Sequence, residues 1–185
     1  MTTNTANDML ASMFRYQKWA NAEMMVSVRA MDLSHHAEQR HLALRTLNHC
    51  LVVNKIFVAH LSGQPHGFDA DNTPDTPTVD QLEAELAKID NWYLDYVAKL
   101  SPAVLTEPIE LTFTDGDKGT MTRQEMLIHV VTHNGYHRGE AGRLMKQAVA
   151  ISGKEFIMPW DTFAVHLHRG EPTRRQHRQT ELSPS

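Results

Sequence analysis

The chain has one cysteine, Cys50, so no internal disulfide can form, and a lone thiol fits a reducing, cytoplasmic setting. Aromatic residues are only 7% of the sequence, and no uninterrupted apolar run approaches the roughly 20 residues that span a bilayer. The first ten residues, MTTNTANDML, show neither a basic segment nor an apolar one of the kind a secretory signal carries. Excess positive charge is also missing. The formal net charge is −4, which argues against the basic stripe of a nucleic-acid binder. No membrane and no nucleic acid are therefore expected among its partners.

What the sequence has instead is histidine, twelve in 185 residues, several of them inside apolar helical segments. The length suits one domain with a self-supporting core. Four long segments carry helical periodicity. The first spans about 7–31, with Leu10, Phe14 and Ala20 on its stripe, and the second spans about 38–61, stopping at Ser62-Gly63. The third starts at the capping box TVDQ (Thr78–Gln81) and reaches about Leu100, where Pro102 breaks the pattern. The fourth starts at a second capping box, TRQE (Thr122–Glu125), and runs to about Val149. Between the second and third lies a linker of about 17 residues with three prolines, and such long loops often border functional clefts.

Ahead of the fourth helix, Ile109, Leu111 and Phe113 alternate with polar residues, and Asp115-Gly116 supplies turn chemistry, so a small hairpin or extended segment is expected. The stretch MPWDTFAVHLH (158–168) reads as a short extra C-terminal helix with proline in its first turn. From 169 to 185 the chain is polar and aperiodic, and a disordered tail is expected there. The reading is an all-α domain over 1–168, built as a four-helix bundle with that short helix and the small hairpin as appendages.

The chemistry concentrates in HVVTHNGYHRGE, which spaces His129, His133 and His137 at four-residue intervals. Residues four apart on a helix stack one turn from each other, so a His-x-x-x-His pair can chelate one ion. Residues eight apart are separated by roughly 12 Å along the axis, so His129 and His137 cannot share one. With His129 set at zero and about 100° per residue, the apolar stripe centres near 110°, His133 lies near 40° and His137 near 80°. The pair 133/137 therefore faces the interior, and His129 is left beside the site as a neighbour.

A third ligand must come from a facing helix. In TLNHCLVVNKIFVAH, His49 shares a face with Val52, Val53 and Ile56, and an inward imidazole needs its nitrogens satisfied. His60, three turns on, is the alternative. Three histidines with an open position is the pattern of a catalytic metal site. The zinc-protease pattern His-Glu-x-x-His is absent. Arg138 beside His137 can anchor an anionic substrate or form a structural ion pair. His35, His36, His66 and His177 read as solvated. A bland alternative also stands: a histidine ladder that binds nothing and supports the interface of an all-α dimer.

Three segments in this order and spacing resemble the DinB/YfiT-like family: FRYQKWAN at 14–21, TLNHCLVVNKIFVAHLSG at 46–63 and TRQEMLIHVVTHNGYHRGE at 122–140. The resemblance implies a bundle of up-down-down-up type, often a homodimer, in which three histidines hold one divalent ion, commonly nickel, zinc or iron. Carried over by position, these are His49, His133 and His137. Members include thiol-dependent transferases and isomerases that use low-molecular-weight thiols, and some hydrolases. A metal-dependent S-transferase or hydrolase is thus expected, with a metal-binding bundle that holds a small molecule or protein partner without turnover as the alternative. Asn54 departs from the acidic residue expected in many relatives, which removes an acid/base role there.

Overall fold

The computed structural model describes residues 6–174. The chain is mostly helical: α1 (Ala6–Ala30), α2 (Leu33–Leu61), α3 (Val79–Lys99), β1 (Pro108–Thr112), β2 (Lys118–Thr122), α4 (Arg123–Ser152) and α5 (Phe163–Gly170). Short 3-10 turns follow α3 at Pro102–Thr106 and α5 at Pro172–Arg174. The residues of the expected tail from 175 to 185 lie outside the described ones. The part inside, 169–174, continues α5 and adds the second 3-10 turn, so order extends past the expected boundary at 168.

Both capping boxes form. Thr78 accepts from the Gln81 amide while the Gln81 side chain accepts from the Thr78 amide, and Thr122 and Glu125 do the same for α4. Each box satisfies two of the four amides that a helix start leaves without partners. Helix α4 ends three residues later than expected, at Ser152, and is capped by Gly153, whose φ of 68° is left-handed and suits glycine.

Helix α2 begins five residues earlier than the sequence suggested. Asp32 caps it by accepting from the Ser34 amide, and the backbone breaks from helical geometry at His36 (φ −127°). That break turns His36 inward. Expected to be solvated, it is instead 1% exposed, accepting from the Asp32 amide through Nδ1 and meeting the Ser152 hydroxyl through Nε2 at 2.7 Å. A histidine flanked by His35 and Ala37 gives no periodic sign of such burial, because the kink that causes it is a tertiary feature.

The four long helices close on one apolar core. Helix α2 lies mainly along α4, and α1 mainly along α3, with α1–α4 and α2–α3 as the other faces. Phe14 of α1 stacks on Tyr93 of α3 with ring centroids 4.8 Å apart, and Leu47, Leu82, Met126, Leu127 and Met145 fill the space between the layers. The most apolar window of α2 has a mean hydropathy of 1.2, enough by length and composition for a membrane span. Yet 56% of that window is buried, as in the core helix of a globular protein.

The expected hairpin is present. Strands β1 and β2 pair antiparallel from Pro108–Thr122 to Thr112–Lys118, and Gly116 (φ 94°) makes the turn. The proline expected to open the last helix does not do so. Pro159 lies in the non-helical segment that leads to α5, whose cap is Thr162.

This segment is tied to the core by a chain of buried polar groups. Asp90, 2% exposed, accepts from the Gln17 and Asn21 side chains at 3.1 and 2.8 Å. Asn21 accepts from Arg138, which is itself buried and holds Asp161 through Nε at 2.6 Å. Tyr16 donates to the same Asp161 at 2.5 Å. Burial pushes the Asp90 carboxyl above its usual range, and the two amides pull it back.

Candidate metal centre

Helices α2 and α4 run face to face, and their contact line carries histidine at three places. One ring nitrogen from each of His49, His133 and His137 falls within 4.8 Å of the other two. The ring centroids are 4.9 Å apart for 49/133, 4.6 Å for 49/137 and 4.6 Å for 133/137. The four-residue spacing brings the α4 pair together, and the α2–α4 packing supplies the third ring.

Hydrogen bonds select which nitrogen faces the cluster. His49 Nδ1 lies 2.8 Å from the Asp71 carbonyl oxygen, an acceptor only, so Nδ1 carries the proton and Nε2 is the free lone pair. His137 Nδ1 is 3.1 Å from Glu140 Oε2, one turn on, with the same consequence. Such outer partners fix the tautomer and orientation of metal-binding imidazoles. His133 differs: its Nδ1 is buried without a hydrogen-bond partner among the described residues, so packing orients this ring.

His49 Nε2 and His133 Nε2 stand 3.1 Å apart. Two nitrogens bound at about 2.0–2.1 Å to one ion are separated by roughly 3 Å at ordinary coordination angles, so the spacing fits a shared cation. A single proton can bridge one pair of lone pairs, whereas a divalent ion satisfies all three rings. Burial, together with the neighbouring His137, His49 and His129, pushes His133 down to about 3, which keeps it neutral and available as a ligand.

The other expected site residues lie outside this trio, His129 beside it with its ring centroid 5.3 Å from that of His133. His129 lies one turn before His133 and stacks on Phe57, with centroids 4.7 Å apart, and burial lowers its pKa. Arg138 points away from the trio, toward α1, and spends its charge on Asp161. His60 is occupied elsewhere: its Nε2 and that of His66 meet the Thr112 carbonyl at 3.1 and 3.2 Å, joining the end of α2 and the linker to the hairpin. His66 is therefore engaged, where solvation was expected. Cys50 is buried with its thiol pushed up to about 12, chiefly by that burial, so it is an inert core residue. Asn54 forms a reciprocal amide pair with Asn134 at 2.7 and 3.3 Å, and its backbone carbonyl accepts from the Tyr93 hydroxyl.

Sequence reasoning missed the wall of the site. The linker returns at Asp71–Pro74 to lie along α2, held by four side chains. Asn48 donates to Asn72 and Thr73 at 2.6 Å each, Asn72 donates to the Arg45 carbonyl, and Arg45 donates to the Thr73 carbonyl. The result is an open cleft of about 340 Å³ over His49 and His137, bounded by Asp71 on one side and Glu140 on the other. The length of the linker was the available signal; nothing in its composition says which carbonyl meets His49.

Comparison with known proteins bears on the family of the chain. Neither the curated proteins nor the solved structures provide a match. The DinB family model matches residues 1–150, a segment that holds His49, His133 and His137. The chain belongs to the DinB family.

Proposed function

We propose that His49, His133 and His137 bind one divalent metal ion, nickel, zinc or iron, and that the protein is a metal-dependent enzyme acting on a small molecule in the cleft above it. The observation that carries this reading is the convergence of three neutral-capable imidazoles from two helices, with no carboxylate or thiol among them. The four long helices are read with it as an up-down-down-up bundle, one domain over 1–168, working as a cytoplasmic homodimer.

When bound, the ion supplies Lewis-acid chemistry, lowering the pKa of a coordinated water or thiol toward neutrality. The chain's own residues do the rest. The Asp71 backbone carbonyl and the Glu140 carboxylate accept hydrogen bonds from the Nδ1 protons of His49 and His137 and so aim their Nε2 atoms at one point. Phe57 and His129 cover the side of the site toward the start of α4. The opposite side stays open, which leaves room for a substrate such as a low-molecular-weight thiol. S-transfer and hydrolysis both fit a site of this kind.

A second reading is a metal-holding protein that binds a small molecule or protein partner without turnover. It is favoured by the cleft's carboxylates, since Glu140 pairs with His137 and Asp71 lies by His49, so both serve the rings. Elemental analysis tests the shared part: about one metal per chain in the wild type, and a small fraction of that in His49→Ala. Unchanged metal content in the variant would reject the site. Turnover of thiol-conjugated or ester substrates that vanishes on stripping the metal and returns on reloading would decide for the enzyme.

A further inference from the structure

We propose that Arg45 is a specificity-determining residue that anchors a carboxylate of the substrate. The cleft then takes a small molecule with one group directed at the three histidines and a carboxylate directed at the guanidinium. This rests on the metal-site reading above.

Arg45 sits one turn before His49 on α2, on the same face, and borders the same cleft. It is the cleft's only lysine or arginine among the described residues. Its Nη1 donates to the Thr73 carbonyl at 2.5 Å and the Pro74 carbonyl at 3.3 Å, which fixes the guanidinium plane against the linker. Nε and Nη2 have no hydrogen-bond partner among the described residues. These two atoms form an edge of the guanidinium that matches a carboxylate with two parallel hydrogen bonds. A guanidinium held by one nitrogen and open along the opposite edge is ordered before ligand arrives, so less freedom is lost on binding.

Charge points the same way. Three neutral imidazoles leave the charge of a divalent ion undiminished, and the nearby carboxylates are engaged at the rings: Glu140 with His137, and Asp71 with Oδ2 3.6 Å from His49 Nδ1. With Arg45 added, the loaded cleft is positive and favours anions. At about 340 Å³ and open to solvent, it suits a small molecule. The alternative role for Arg45, bracing the linker alone, uses only Nη1.

The test uses the full chain loaded with Co²⁺, which imidazole sites accept and which reports ligand binding through its visible absorption. The probes are succinate and butyrate, equal in carbon number and different by one carboxylate. The expected result is that the wild type binds succinate about tenfold more tightly or better, the scale of one charge-assisted pair. Arg45→Gln, which can still donate to the Thr73 carbonyl, should hold the same cobalt and lose most of that preference. Arg45→Lys should retain an intermediate share. An equal affinity for the two acids in the wild type, or an unchanged preference in Arg45→Gln, overturns the assignment. Loss of cobalt from Arg45→Gln also overturns it, because Arg45 then shapes the metal site itself. Cobalt uptake by the wild type is read separately: its failure removes the metal site, while normal uptake without a succinate preference removes only the role of Arg45.

Discussion

His49 Nε2 and His133 Nε2 face each other at 3.1 Å, although 84 positions separate the two residues in the chain. Neither nitrogen has another partner among the described residues, and the third ring, His137, stands 4.6 Å from both in centroid distance. The behaviour of this contact under mutation, acid and metal follows from that geometry.

Alanine at His133 or at His137 should lower metal content from about one per chain to a small fraction, as for His49. His129→Ala should keep it, since that ring packs on Phe57 outside the trio. Metal added at a hundred times its dissociation constant should stabilise the wild type by about 2.7 kcal/mol and leave the ligand variants unmoved. Elemental analysis and thermal melts with and without metal read both effects.

Glu140→Gln should weaken metal binding by about 10- to 100-fold while leaving the melting temperature of the metal-free protein almost unchanged. The carboxylate is exposed and acts through the His137 proton, and the amide is a poorer acceptor. Competition against a chromophoric chelator measures the affinity. An effect equal to that of His137→Ala would mean that Glu140 is itself a ligand.

Acid should destabilise the metal-free protein through His133. Its pKa is about 3 in the folded state against 6.5 for the free group, so the unfolded chain binds a proton that the native one refuses. The stability is fully present above pH 6.5 and is lost as pH falls from there toward 3. The slope is at most about 1.4 kcal/mol per pH unit for this one group. His133→Leu should remove this contribution, flattening the chemical-denaturation profile of metal-free protein between pH 6.5 and 4.

Arg138→Met should cost about 3–5 kcal/mol of stability, because it leaves Asp161 without its cation and the Asn21 side-chain oxygen without its donor, and weakens the field on Asp90. Metal stoichiometry should persist in whatever fraction remains folded, since the side chain points away from the trio. Denaturant titration and elemental analysis together separate this structural role from a part in the cleft. Metal loss in folded protein would return Arg138 to the site.

Much of this was legible in local sequence. Helix starts at Thr78 and Thr122 are written in side chains that satisfy the adjacent backbone, so no distant contact is needed to read them. Hairpin alternation at Ile109–Phe113 is local too. The break at His36 and the paired roles of His60 and His66 were not, because each depends on a partner that arrives from elsewhere in the chain.

By itself the sequence determined the helical periods, the caps, and the four-residue spacing that lets His133 and His137 share a face, since these follow from a fixed rise and turn per residue. It also separated His129 from His137 by helix length alone. Only the tertiary structure decided the rest: that α2 lies against α4 with His49 at their level, that the linker brings Asp71 to His49, and that Arg138 faces α1 while Arg45 faces the cleft. Periodicity states which residues share a face. Packing of whole helices decides what that face meets.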